Sequence, residues 1–146
     1  MPIRITSEPI DVAALIDRVS RPSCGAIGAF VGVVREPNLG HRTIGIDYHA
    51  FAEMAEKVMR EIAAEAARRW QVGEIAIEHR VGSLKVGEPS VAIVVAALHR
   101  QPALEATAYL IEALKERVPI WKKERFEGGE VWIEGDPSAA PRSEAG

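Results

Sequence analysis

Four cationic side chains lie within nine residues of one another near the C-terminal end of the sequence. They are Lys115, Arg117, Lys122 and Lys123, and Pro119 divides them into two pairs. Because proline cannot continue a helix, we expect Lys115 on a last helical turn and Lys122 on a chain that has changed direction. Two lysines brought together from different elements predict an anion site, or a lysine with a lowered pKa. The alternative is that the cations only oppose a helix dipole or lie on a solvated surface.

Two further cationic groups follow apolar segments. Arg35 ends the glycine-containing run at 25–35, and His99 and Arg100 follow the apolar run at 91–98. Loops at the ends of rigid elements hold most binding sites, and guanidinium groups suit phosphate. Together with the lysines, these residues predict a site for a small phosphorylated or otherwise anionic ligand. Each could instead be an ordinary charge at a strand end.

Other reactive side chains have weaker support from their surroundings. His79 and Arg80 lie inside an alternating segment, where a structural role is favoured and Arg80 faces solvent or pairs with a carboxylate. Cys24 has no basic residue beside it and is interpreted as a small residue before a buried strand. The four histidines lack metal-ligand spacing, so no metal site is expected.

The elements that would position these groups alternate between single helices and pairs of strands. The order β, α, β, β, α, β, β, α, β, β favours an α+β fold, with helices packed on a mixed or antiparallel sheet and a C-terminal β-hairpin at Gly128 and Gly129. A turn region is expected at 82–89 and a polar loop at 36–43. The third helix is expected to bury Leu104, Ala108, Ile111, Leu114 and Val118. Strands are expected at 3–6, 25–35, 44–50, 74–81 (half-buried) and 91–98, and helices after Asp11, at 51–70 and from Pro102.

Composition indicates one globular domain over residues 1–135 and a disordered tail at 136–146. The chain has 146 residues, of which 47% are hydrophobic and 27% charged. Its net charge of −3 provides no basic field for nucleic acid. A single cysteine, no apolar signal segment and no membrane-length apolar run predict a cytoplasmic protein with no membrane association.

Several of these segments together resemble the catalytic (large) subunit of molybdopterin synthase, the MoaE type. The resemblance spans roughly residues 25–133. The most specific part is the combination of Ala-Leu-His-Arg at 97–100 with Pro-Ile-Trp-Lys-Lys-Glu at 119–124. The other matching segments are Phe30 to Arg35 with Asn38 and Gly40, the helix from Met54 to Trp70, and His79 to Gly82 with Gly87 and Glu88.

The resemblance implies a fold, a reaction and partners. The fold would be of the α/β-hammerhead kind, in a homodimer that binds two small ubiquitin-like sulfur carriers of the MoaD type. The C-terminal Gly-Gly thiocarboxylate of the carrier would donate sulfur to cyclic pyranopterin monophosphate and form the dithiolene of molybdopterin. No cofactor is implied. This chain does not resemble the carrier, since its Gly-Gly pair is internal.

The same resemblance assigns roles to residues. Lys115 and Lys122 match the catalytic positions, with Lys115 nearest the thiocarboxylate, where it would stabilise charge or act as a general acid or base. Asp136 replaces an arginine that some relatives carry, so no role is transferred to it. Substrate contacts match Val33, Val34, Arg35, His99, Arg100, Lys115, Lys122, Lys123 and Glu124. The resemblance implies that His99 and Arg100 would act across the dimer.

Two other classes of function remain open from the residues alone. One is a non-catalytic dimeric module that binds a phosphorylated small molecule. The other is a hydrolase that uses Cys24 or His99. Only the synthase predicts dithiolene formation that depends on a thiocarboxylated carrier.

Overall fold

Over the described residues, the fold consists of three helices and two four-stranded sheets. It is that of a computed structural model, which describes residues 1–36, 43–126 and 128–134. The elements in chain order are β1 (Ile3–Thr6), α1 (Val12–Val19), β2 (Ala26–Val33), β3 (Thr43–Ala50), α2 (Ala52–Arg69), β4 (Ile75–Arg80), β5 (Gly82–Lys85), β6 (Pro89–Ala97), α3 (Arg100–Arg117), β7 (Ile120–Phe126) and β8 (Gly129–Glu134).

The first sheet has the strand order β1-β4-β6-β2 and is covered by helices on both faces. β1 is parallel to β4, and the other pairs are antiparallel. α2 and α3 pack on one face, around Met59, Ile62 and Leu110. α1, which Asp11 caps by accepting a hydrogen bond from the Ala14 N–H at 3.0 Å, packs Leu15 and Val19 on the other.

This double cover corrects one prediction. The strand at 74–81 was expected to be half-buried, but every residue from 75 to 79 in β4 is buried. Ala76 contacts the α1 cluster, and Ile77 contacts the cluster under α2 and α3. Glu78 is also buried, and its carboxylate accepts a hydrogen bond from Arg4 Nε at 2.9 Å. The alternating pattern therefore led to the wrong prediction for a strand that is buried on both faces.

The second sheet has the order β5-β3-β7-β8, and all of its pairs are antiparallel. β7 and β8 form the predicted C-terminal hairpin, and Gly128 takes the positive φ of 105° that its turn requires. Ile46, Tyr48, Leu84 and Val34 form a small core on this sheet. The mixture of a mixed sheet, an antiparallel sheet and packed helices confirms the α+β class.

The turn region expected at 82–89 contains a strand, β5. It pairs with β3 between two glycines of positive φ, Gly82 at 101° and Gly87 at 92°. Three strands, instead of the predicted two, therefore separate α2 from α3. The short strand escaped prediction because glycines at both ends of a four-residue segment are typical of a turn.

The buried face of α3 matches the prediction at Leu114 and Val118, which are buried, and differs from it towards the start of the helix. Leu104 and Ala108 are exposed, whereas smaller residues contact the sheet. The cause is Gly28 of β2, where a Cβ atom would lie 2.5 Å from the Ala103 carbonyl oxygen. The helix backbone therefore lies against the strand backbone, at a distance that only small side chains allow. The buried residues of α3 are Ala103, Ala106, Thr107, Leu110, Ala113 and Leu114.

Two predicted segments fall partly or wholly outside the described residues. They are the polar loop, through residues 37–42, and the tail at 136–146. Within the part of the chain that the structure describes, no helix has both the length and the hydropathy needed to cross a membrane.

Candidate functional site

A narrow cavity of about 40 Å³ opens where the C-terminal end of α3 meets the second sheet. Its polar groups come from five different elements, and its apolar walls come mainly from α3 and the start of β7. The polar lining residues are Tyr48, His79, Ser90, Lys115 and Lys122. The two lysines that the sequence predicted to converge therefore do share one pocket.

Lys115 enters the pocket because α3 ends beside it. The helix runs to Arg117, and the Val118 N–H closes the last turn on the Leu114 carbonyl oxygen at 3.0 Å. Pro119 then directs the chain into β7, as predicted. Lys115 is half-buried and lines the cavity, and its charge acts on His79 inside it.

Lys122 reaches the same cavity from β7. It lies opposite Tyr48 in the β3–β7 pairing and is only 4% exposed. Strand alternation places Glu124, also 4% exposed, on the same face, and Lys123 on the opposite face. There the Lys123 ammonium forms an ion pair with Glu130 at 3.0 Å. Of the three predicted β7 residues, only Lys122 lines the pocket.

The sequence did not predict that His79 would lie in the site. It is 5% exposed and lines the pocket from β4. Its ring Nδ1 donates a hydrogen bond to the Arg80 carbonyl oxygen at 2.9 Å. Burial, together with the charges of Lys115 and Lys122, lowers its pKa to about 4, so the ring is neutral at pH 7. One signal was available, because His79 continues the alternation of Ile75 and Ile77 and so shares their core-facing side.

Tyr48 and Ser90 complete the polar lining and connect it to β2. The rings of Tyr48 and His79 meet edge to face, with centroids 5.1 Å apart. The Ser90 hydroxyl donates to the Gly32 carbonyl oxygen at 3.3 Å. Val34, just beyond β2, packs in the same cluster as Tyr48. The predicted substrate segment thus adjoins the pocket wall.

The members of that segment differ in exposure. Val34 is buried, whereas Val33 is 45% exposed and Arg35 is exposed. The Val34 backbone is held by two hydrogen bonds, from its N–H to the Glu88 carbonyl oxygen at 3.0 Å and from the Gly87 N–H to its own carbonyl oxygen at 2.6 Å. Arg35 therefore leaves a fixed point on the scaffold with its guanidinium accessible to a ligand.

Arg80 has the structural role that the sequence favoured. Its Nη1 donates to Glu88 Oε2 at 3.0 Å, which confirms pairing with a carboxylate. The Lys85 backbone N–H donates to the other oxygen at 2.7 Å, and this bond, followed by the Arg80 bond, lowers the pKa of Glu88. The pair fixes the β5–β6 turn that holds Val34.

His99 and Arg100 are not brought to the pocket within one chain. Both are exposed at the N-terminal end of α3, where His99 is the cap residue. Fifteen helical positions separate Arg100 from Lys115, which corresponds to about 22 Å along the helix axis. The predicted anion pair and the lysine pocket therefore lie at opposite ends of the same helix.

Neither a metal nor a cysteine nucleophile is suggested by the described part of the chain. Over those residues, no group of three or more His, Cys, Asp or Glu side chains could hold a metal ion. Cys24 is half-buried and packs against the apolar cluster under α1. The chemistry that the site can perform is the binding and stabilisation of negative charge by two lysines beside a neutral imidazole.

Comparison with known proteins gives a consistent assignment. Residues 5–117 match the family model described as MoaE protein. The molybdopterin synthase catalytic subunit of Halalkalibacterium halodurans is 43% identical over 96% of this chain and 94% of its own length. The subunit of the same name from Bacillus subtilis is 44% identical over 88% and 82%. Molybdopterin synthase from Staphylococcus aureus superposes with a TM-score of 0.86 at 37% identity, covering 89% of this chain and 95% of that one.

Proposed function

Because this chain belongs to the MoaE family and is a molybdopterin synthase catalytic subunit, an enzyme that transfers sulfur, we propose that its active centre is the pocket that Lys115 and Lys122 share. The sulfur donor is the C-terminal thiocarboxylate of a small ubiquitin-like carrier of the MoaD type. The acceptor is cyclic pyranopterin monophosphate, which becomes the dithiolene of molybdopterin. The observation that carries this assignment is the convergence of two ammonium groups from separate elements in one narrow cavity.

The pocket suits the end of an extended chain that carries one negative charge. A cavity of only about 40 Å³ favours a group without a side chain over a bulkier one, and a terminal Gly-Gly is such a group. Its apolar walls lower the local dielectric, which strengthens the attraction between a thiocarboxylate and the two ammonium groups. The relatives are named catalytic subunits, which supports the existence of another subunit.

Lys115 acts on the acyl carbon of the donor in this proposal. It either stabilises the negative charge that develops on the acyl oxygen or serves as a general acid or base during sulfur addition. Lys122 holds the same group from the opposite wall. Positioning contributes most of the rate enhancement, because the sulfur arrives on a tethered tail and needs no separate encounter.

The pterin substrate binds at the mouth of the pocket. Val34 packs beside Tyr48 of the wall, with Val33 and Arg35 next to it in the chain, and Lys123 and Glu124 continue the β7 segment. The monophosphate is bound by Arg35 and by His99 and Arg100 of a second copy. A homodimer supplies that pair, because about 22 Å of helix separates it from Lys115 of its own chain. Two copies with two carriers form a heterotetramer.

The proposed reaction needs no resident cofactor or metal, since the donor brings the sulfur and the lysines balance the charge. We assign the protein to the cytoplasm on its single, half-buried cysteine.

The deciding experiment is reconstitution from purified components. The protein is mixed with a thiocarboxylated carrier and the pterin precursor, and dithiolene product is measured. A carrier that ends in an ordinary carboxylate provides the control arm. Product that appears only with the thiocarboxylate supports the synthase. Binding of the precursor without any conversion would leave a non-catalytic phosphate-binding module. Conversion of the precursor to a sulfur-free hydrolysis product in a mixture without carrier would identify a hydrolase.

A further inference from the structure

His79 lines the pocket beside both lysines, and binding of an anionic tail does not account for a neutral imidazole there. Its tautomer is fixed, because a carbonyl oxygen only accepts and Nδ1 must therefore carry the proton that it donates to Arg80. In the neutral ring, Nε2 then holds the lone pair. The edge-to-face contact with Tyr48 at 5.1 Å fixes the ring plane. The pocket thus contains an oriented proton acceptor.

The proposed sulfur transfer, on which this inference rests, creates a need for such an acceptor. When the thiocarboxylate sulfur bonds to the substrate, the carrier remains attached through an acyl–sulfur bond. Water must attack the acyl carbon to release the carrier, and the attacking water must lose a proton. A lysine that stays protonated to hold the anionic donor only donates hydrogen bonds, and it has no lone pair with which to accept that proton.

We propose that His79 is a further catalytic residue, which accepts through Nε2 the proton of the water that cleaves the acyl–sulfur link. The oxygen of water bonds to the acyl carbon, and the carbon–sulfur bond breaks with its electron pair staying on sulfur. The products are the carrier carboxylate, the substrate thiolate and two protons. One proton is taken up by Nε2, and the other is lost from the new carboxylic acid. Lys115 and Lys122 stabilise the two anions that form.

The surroundings of the ring support this role. The charged or titratable groups that face it are Lys115 from α3, Lys122 from β7 and Tyr48 from β3, while Arg80 is paired with Glu88. Before ligands bind, burial and the lysines keep the pKa near 4. An anionic tail beside the lysines offsets their field and raises the pKa, so the imidazole becomes a stronger base when the site is loaded. The cavity of about 40 Å³ exceeds the volume that one water needs.

The test uses His79→Gln, which keeps an acceptor near the position of Nε2 but cannot take up a proton. His79→Asn is the second variant, and its amide N–H can replace Nδ1 as donor to the Arg80 carbonyl. His49→Gln makes the same change at an exposed histidine of β3 and is the matched control. Each full-length protein is mixed with thiocarboxylated carrier and pterin precursor. Intact mass spectrometry then follows the covalent carrier–substrate adduct, alongside the dithiolene product.

We expect adduct to form at the wild-type rate in both His79 variants and to persist, with its hydrolysis slowed about 10²-fold or more. Hydroxylamine, a nucleophile that needs less help from a base, should release the trapped carrier as its hydroxamate. Product formation within about threefold of wild type, with no accumulated adduct, would overturn the proposal. Equal slowing of adduct formation and hydrolysis would also overturn it, because that result indicates a structural role. If the wild-type protein forms no dithiolene at all, the failure lies with the proposed function.

Discussion

The two ends of α3 carry similar cationic groups in opposite environments. At the C-terminal end, Lys115 is half-buried and shares a pocket with Lys122 and His79. At the N-terminal end, His99 and Arg100 are exposed, and about 22 Å of helix separates them from that pocket. One end is enclosed by the chain's own sheet, whereas the other lies open on the surface. We call the C-terminal end of α3, with Lys115, the closed end and the N-terminal end, with His99 and Arg100, the open end.

The difference shows what one chain can build alone. The closed end is assembled by local chain reversal at Pro119 and by pairing of β7 with β3, so a single copy is sufficient. Among the described residues of its own chain, none encloses the open end in this way. If its cations contact the same ligand, a second copy must present them. Substitutions at the closed end should therefore affect the site of the same chain. Substitutions at the open end should affect the site of the other copy in the assembly.

Lys115→Ala tests the closed end most directly. We expect product formation to fall about 10²- to 10³-fold or below detection, because a charge-stabilising group in a desolvated pocket is removed. Folding, measured by circular dichroism, and carrier binding, measured by calorimetry, should be retained. Lys57→Ala, at an exposed lysine of α2, is the control and should keep wild-type turnover. Normal turnover by Lys115→Ala would remove the closed end from the mechanism.

Mixing two inactive variants tests whether the open end acts across a dimer. Arg100→Ala and Lys115→Ala should each be nearly inactive, because each removes one half of every site. In a hybrid dimer both changes fall on one site and leave the other intact, so random reassociation should restore about a quarter of wild-type activity. Turnover is measured after the mixture is partly unfolded and refolded. A mixture no more active than its components would contradict a shared site.

Acid stability distinguishes the two ends by burial. The folded pKa of His79 is about 4, below its ordinary value of 6.5, so between these values the unfolded state binds a proton that the folded state does not. Stability therefore falls as the pH drops through this window, by about 3 kcal/mol for this group. In urea unfolding at pH 7 and pH 4, His79→Gln should lose that part of the dependence. Lys115, Lys122 and Tyr48, which face the ring, are unchanged in the variant.

His99→Gln makes the same substitution at the open end. It removes an exposed side chain and is the control, measured in the same urea unfolding at pH 7 and pH 4. If both variants changed the acid dependence equally, burial at the closed end would not be its cause.

Much of the closed end could be predicted from sequence because its determinants are local. A proline between two pairs of cations is enough to place Lys115 at a helix end and Lys122 on the returning chain. The sequence singled out His79 but did not predict its place in the pocket, because its neighbours there come from β3, α3 and β7. No local pattern specifies which distant elements surround a side chain. The exposed Arg35 and the paired Lys123 likewise take their environments from tertiary contacts.

The errors have a common physical origin in backbone packing. Hydrophobic spacing selected Leu104 as a buried residue of α3, yet it is 60% exposed. Close approach to Gly28 rotates the helix so that its small residues face the sheet. β5 was missed because its partner, β3, lies on the far side of α2 in the sequence. In both cases a contact distant in sequence decided what the local pattern left open.

Gly28→Ala tests that close approach and should affect both ends of α3 together. The new Cβ would lie 2.5 Å from the Ala103 carbonyl oxygen and 2.7 Å from Thr107 Oγ1, so the helix must shift. We expect a loss of about 1–3 kcal/mol in the free energy of unfolding, measured in urea. At Gly73 the same substitution meets Cys24 Sγ at an ordinary 3.4 Å and should cost little. Equal stability of the two variants would show that Gly28 does not determine how closely α3 packs on the sheet.

Glu65→Gln should have the smallest effect, since it weakens only the surface ion pair and hydrogen bonds that connect the closed end of α3 to α2. The Glu65 carboxylate accepts two hydrogen bonds from Arg117, at 2.7 and 3.0 Å, and one from the Tyr109 hydroxyl at 2.6 Å. The Arg117 bonds, then the Tyr109 bond, lower its pKa from 4.5 to about 2. Stability from this group is thus present above pH 4.5 and is lost as the pH falls towards 2.

In thermal unfolding at pH 7, the variant should melt slightly below the wild type, and the difference should shrink in high salt because exposed ion pairs are screened. Glu112→Gln, on an exposed position of α3, is the control. Turnover should stay at the wild-type level, since Lys115 is held mainly by the buried face of the helix and by the chain reversal at Pro119. If turnover instead fell with the melting temperature, the position of Lys115 would depend on the contact between α2 and α3. The closed end would then not be set by α3 and the chain reversal at Pro119 alone.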